Sequence, residues 1–117
     1  MLLTVSRHRN VSDHQHGDSG AHITGGVGPT VSRSVTNLPG APAITVARSG
    51  TGIYIANFGA SVAGRYYNVI RGNAATGVPS GGDADVTPFA GSPNALFIRL
   101  RDTTGAFVDT NFYVQVW

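Results

Sequence analysis

Five short runs of alternating side chains constrain this chain's fold more than any other feature. "AITVAR" (43–48) puts Ile44 and Val46 on one side, and "GIYIANF" (52–58) does the same with Tyr54, Ala56 and Phe58. "YYNVIR" (66–71) sets Tyr67 and Val69 against Tyr66 and Ile70. "ALFIRLR" (95–101) aligns Leu96, Ile98 and Leu100, and "NFYVQVW" (111–117) aligns Phe112, Val114 and Val116. Successive side chains of an extended strand point to opposite faces, so each run predicts a strand with one face toward a core. Turn-forming clusters separate the runs: Ser49 to Gly52, Ala63-Gly64, Ser80 to Asp83, Gly91 to Asn94 and Asp102 to Gly105. No stretch carries a helical period. The chain also has neither Lys nor Glu, two of the better helix formers, since its basic residues are all Arg and its acidic ones all Asp. The pattern predicts an all-β fold, an antiparallel β-sandwich.

The 117 residues suit one domain in two parts. Residues 43–117 hold all ten aromatic side chains and read as the sandwich. Residues 1–42 are polar and rich in Gly, and read as an extended N-terminal arm or linker. Within the arm, Leu2 to Ser6 and Thr30 to Thr36 read as strands, and "GDSGAHITGGVGP" (17–29) reads as a loop. Pro39-Gly40-Ala41-Pro42 marks the boundary.

Composition excludes several classes of function. A net charge of +2 with eight scattered Arg residues argues against a nucleic-acid partner. No run is apolar enough to span a membrane. Cysteine is absent, so there is no disulfide framework and no thiol chemistry. The Gly-rich stretches lack the Gly-Lys-Ser/Thr of a phosphate loop, and no cofactor is expected.

Several residues stand out as candidates. Ile53, Ile55, Phe97, Tyr113 and Trp117 fall on the faces opposite the predicted core, and a second apolar face predicts a subunit interface. Tyr66, Arg99 and Arg101, with Tyr113 and Trp117, make a candidate ligand surface. Gly17-Asp18-Ser19-Gly20 resembles the nucleophile loop of chymotrypsin-like proteases. Fewer than twenty residues precede Ser19, however, and a triad needs a base and an orienting carboxylate held rigidly. No catalytic residue is therefore assigned. His14 and His16 form a His-x-His pair facing one way on an extended strand and are the candidate ligands for a first-row metal. Asp83 and Asp85 offer two carboxylates, too few for Ca²⁺ without further oxygen ligands.

The run from Ser49 to Gly72 followed by that from Asn94 to Trp117, with the pattern Gly52-x-Tyr54-x-x-x-Phe58 and then Asp102-x-x-Gly105-x-x-x-Asp109-x-x-Phe112-x-Val114-x-Val116, resembles the heads of bacterial and bacteriophage fibre or collagen-like proteins. Those heads are similar to the trimeric jelly roll of complement and tumour-necrosis-factor domains. The resemblance implies a jelly-roll-like sandwich in which Tyr54 and Phe58 fill the core. It implies a tight turn at Asp102 to Gly105, and Asp109 capping the bend into the last strand. It further implies a homotrimer, in which three chains would bring six imidazoles of His14 and His16 together. The expected function is a non-enzymatic structural protein of a phage particle or bacterial appendage, as a capsid-surface decoration, fibre or tail component. The N-terminal arm would anchor it to a larger virion or appendage protein. A receptor- or glycan-binding head is the alternative.

Overall fold

The computed structural model describes residues 18–38, 40, 43–72 and 81–117. Eight strands follow in order: β1 (Ser19–Thr24), β2 (Thr30–Thr36), β3 (Thr45–Gly50), β4 (Ile53–Asn57), β5 (Tyr67–Arg71), β6 (Asp83–Pro88), β7 (Ala95–Arg101) and β8 (Phe112–Val116). They form two antiparallel four-stranded sheets, β2-β1-β8-β5 and β3-β4-β7-β6. β1 pairs with β8 and β4 with β7, and the links β2–β3, β4–β5, β5–β6 and β7–β8 cross from one sheet to the other. This wrapped path is jelly-roll-like.

The alternation in the sequence is the alternation of burial. Tyr54, Phe58, Leu96, Ile98, Leu100, Phe112, Val114 and Val116 are all buried between the sheets. Tyr66 and Ile70 lie exposed on the outer side of the first sheet, opposite the buried Val69. The Asp102 turn closes with a hydrogen bond from Gly105 N–H to Asp102 O (3.0 Å), and Gly105 adopts φ +89°. That conformation is cheap only for glycine.

Two expectations need correction. The sandwich is not confined to residues 43–117, because it already includes β1 and β2, and β1 lies between β2 and β8. Thr30–Thr36 is a strand as expected, but Ser19–Thr24 is a strand too, rather than a loop. Ala21 and Ile23 enter the core there, joined by Leu38 and Ile44 from the link between β2 and β3. The second correction concerns Asp83–Pro88: the sequence marks a turn at Ser80 to Asp83 and no strand after it, whereas the structure has an edge strand there paired with β7. Both segments are short and rich in small or polar residues, and pairing with a hydrophobic neighbour outweighs their weak propensity.

Candidate interaction surface

The outer face of the β2-β1-β8-β5 sheet carries most of the exposed large apolar side chains among the described residues. Gly20 and His22 of β1 stand between Val35 and Arg33 of β2 and Gln115 and Tyr113 of β8. Asn68 and Ile70 of β5 flank Gln115 and Tyr113 on the far side. Beyond this block, Tyr66 and Trp117 exchange backbone hydrogen bonds at 3.0 and 2.9 Å. Tyr66 is 76% exposed, Ile70 59% and Val35 58%.

An open groove of ≈ 900 Å³ runs across this face, lined by Gly20, Val35, Tyr113 and Gln115 among others. Gly20 forms its low point, since a Cβ there would sit 3.1 Å from the Val114 carbonyl oxygen and 3.2 Å from Gln115 Cγ. His22 stiffens one side. Its Nε2 lies 2.9 Å from the Gly72 carbonyl oxygen, where the ring N–H donates, and its Nδ1 lies 2.6 Å from Ser32 Oγ. Its ring packs on Tyr113 at 4.5 Å between centroids. One buried imidazole thus ties β1 to β2 and to the end of β5.

The protease-like segment is built differently. Ser19 faces inward and is buried, and its Oγ accepts hydrogen bonds from the Asn37 and Leu38 amides at 3.0 and 3.2 Å. His22 projects to the other side of the sheet. Ser19 thus holds the chain leaving β2, and among the described residues no imidazole stands beside it.

The five interface candidates do not form one surface. Tyr113 and Trp117 belong to the outer face just described, whereas Ile53, Ile55 and Phe97 lie on the outer face of the other sheet, each half-buried. The ligand candidates divide in the same way. Tyr66 stands beside Trp117, but Arg99 and Arg101 lie on the opposite side of the sandwich. There both pair with Asp85, at 3.2 and 2.5 Å, and the Arg101 guanidinium sits 5.1 Å over the Phe107 ring. The Arg101 hydrogen bond is the main reason the Asp85 carboxyl lies below its usual range. Asp85 is thus an ion-pair partner, and Asp83 is exposed beside it. His14 and His16 lie outside the described residues, and no group of three metal-ligating side chains occurs among those described.

Sequence reasoning missed a polar knot at one end of the sandwich. Arg48 grips Asp109 through Nε (3.1 and 3.2 Å) and Nη2 (3.0 Å). The Gly52 amide and the Tyr54 hydroxyl also donate to Asp109 Oδ1, at 2.8 and 2.7 Å. The Tyr54 oxygen in turn accepts the Gly26 amide at 2.8 Å. Arg48 above all, then the Gly52 amide and Tyr54, push the Asp109 carboxyl down to about 2 against the opposing pull of burial. Burial, followed by the bond to Asp109, raises the Tyr54 phenol. The knot joins β3, β4, the β1–β2 loop and the approach to β8, so it is a structural bolt that keeps the sheets aligned beneath the outer face.

No family model matches this chain, and comparison with curated proteins and with solved structures found no match.

Proposed function

We propose that this protein is a non-enzymatic structural component that assembles as a homotrimer through the outer face of the β2-β1-β8-β5 sheet. The observation that carries the reading is the grouping of Val35, Tyr66, Ile70, Tyr113 and Trp117 on that one face. Apolar patches of this kind mark interaction sites when they lie together rather than scattered. Interface cores favour aromatic side chains and exclude charge, and among the described residues of β2, β1, β8 and β5 that point to this face, Arg33 at the β2 margin is the one with a formal charge. The role in a phage particle or bacterial appendage draws on the resemblance of the 49–72 and 94–117 runs to fibre heads.

Ile70→Asp and Val35→Asp would place charge on two exposed positions of the face. Ala47→Asp would do the same on the opposite sheet, beside Ile55. The proposal expects the first two variants to dissociate the assembly while circular dichroism stays unchanged, and Ala47→Asp to leave it intact. Equal effects from all three would overturn it.

A second reading, a glycan-binding head, has one observation in its favour. Tyr66 and Trp117 are neighbouring exposed aromatics with Asp18 and Gln115 beside Trp117, a set suited to stacking on a sugar and bonding its hydroxyls. Its test is whether a glycan array gives hits that Trp117→Ala abolishes.

A further inference from the structure

Among the described residues, His22 is the buried titratable side chain of the outer face, at 3% exposure. Its hydrogen bonds suit two protonation states. The Gly72 carbonyl oxygen can only accept, so Nε2 carries a hydrogen in both. The Ser32 hydroxyl has one hydrogen and two acceptors within reach, His22 Nδ1 at 2.6 Å and the His22 carbonyl oxygen at 3.0 Å. On the neutral ring that hydrogen goes to Nδ1. On the charged ring Nδ1–H donates to Ser32 Oγ, and the hydroxyl turns its own hydrogen to the carbonyl oxygen. No donor is orphaned when the proton arrives, so the cost of an unpaired buried N–H is avoided.

The bulge in β2 supplies this hydroxyl. Arg33 stands opposite His22 and Val31 opposite Ile23, so Ser32 is the extra residue between them. Strict alternation from Arg33 would turn Ser32 into the core. The bulge re-aims it to the outer face, beside the ring.

The cations and carboxylates around the ring leave a second positive charge poorly supported. β2 brings Arg33 directly across from it. β8 brings Tyr113, packed on the ring. β5 brings Arg71, next to Gly72, whose guanidinium is drawn across to the other sheet by the Arg101 carbonyl oxygen at 2.8 Å. Asp18 lines the same groove, but it lies four residues back along the strand. That is about 13 Å, beyond the screening length of about 8 Å at physiological salt.

We propose that His22 is a proton switch of the assembly: one proton per chain charges the middle of the outer face and releases the protomers from one another. The switch rests on the reading of that face as the subunit contact. A neighbouring protomer seated there removes the remaining access of His22 and Arg33 to water, and a second cation beside Arg33 is costly in such a place. The assembled face therefore holds His22 neutral more firmly than the free chain does. Assembly is complete while the imidazole is neutral, and it is lost as pH falls and the free chains take up protons. With up to three protons per trimer, the association constant falls by up to about a thousandfold per pH unit.

Light scattering of the full chain near pH 7.5 and near pH 5.5 tests the switch, with far-UV circular dichroism to show that the fold persists. That window avoids the Asp109 carboxyl, which titrates at about 2. The mass should fall from three chains to one. His22→Gln, which cannot take up the proton, should give the same mass at both values. Ser32→Ala removes the oxygen that accepts from the charged Nδ1. It should move the dissociation midpoint, and the His22 midpoint in an NMR titration of the imidazole nitrogens, to lower pH by about one unit. Three chains at both values would overturn the switch and leave the assembly reading standing. So would a fall in mass that His22→Gln retains, which would assign the response to another group, or a midpoint that Ser32→Ala leaves in place. One chain at both values would instead refute the assembly reading, and the switch with it.

Discussion

Asp109→Asn is the substitution whose cost can be worked out most fully. The carboxylate accepts from Arg48, Gly52 and Tyr54, and its pKa falls from 3.8 to about 2. Each unit corresponds to about 1.4 kcal/mol, so the shift is worth about 2.5 kcal/mol, discounted to about 2 because the side chain is 25% exposed. Asparagine would also turn an NH2 group toward donors and leave one of them unpaired, at about 1–3 kcal/mol. The expected loss is about 3 kcal/mol near pH 7, a large share of the ~5–15 kcal/mol typical of a domain. Urea unfolding followed by far-UV circular dichroism measures it. The pH dependence has a definite sign. A carboxyl depressed in the folded state contributes stability that is fully present above the unfolded value near 4 and is lost as pH falls toward about 2. The wild type should therefore lose about 2 kcal/mol across that window through this group, and Asp109→Asn should lack that part of the acid limb. A loss below about 0.5 kcal/mol at pH 7, with identical acid limbs, would refute the reasoning.

Other substitutions should separate the strong contacts from the weak. Asp85→Asn removes a carboxylate that is 45% exposed from two ion pairs, and thermal melts should show a cost under about 1 kcal/mol. Gly52→Ala should be among the most damaging changes, because φ is +70° and a Cβ would lie 2.7–2.9 Å from backbone atoms of Leu100 and Val108; soluble yield and melting temperature would both fall. His22→Ala would release the tie among β1, Ser32 and Gly72, and a loss of about 1–3 kcal/mol in chemical denaturation is expected.

How much of this was legible in the sequence depended on the size of the side chains. Where large apolar residues alternate, as in Leu96-Phe97-Ile98, a period of two names both faces without further help. β1 hid because its inward residues are Ser19, Ala21 and Ile23, of which only the last is large, and glycines flank it. β6 hid because Asp and Pro signal turns in isolation, while the arginines of β7 that make Asp85 at home lie fourteen and sixteen residues away. The knot was out of reach for the same reason. Arg48 and Asp109 are sixty-one residues apart, and only the fold brings them together. The outward faces were legible but not the sheets: alternation turns Ile53, Ile55, Phe97, Tyr113 and Trp117 all away from the core, yet no sequence pattern says which sheet a strand joins, and the first three lie on the opposite side of the sandwich from the last two.

The most direct test of the assembly is the mass of the particle in solution. Light scattering across micromolar concentrations should give three times the 12.1 kDa of one chain, and Ile70→Asp should reduce that to a single chain. A wild-type protein that remains at the mass of one chain throughout would contradict the account.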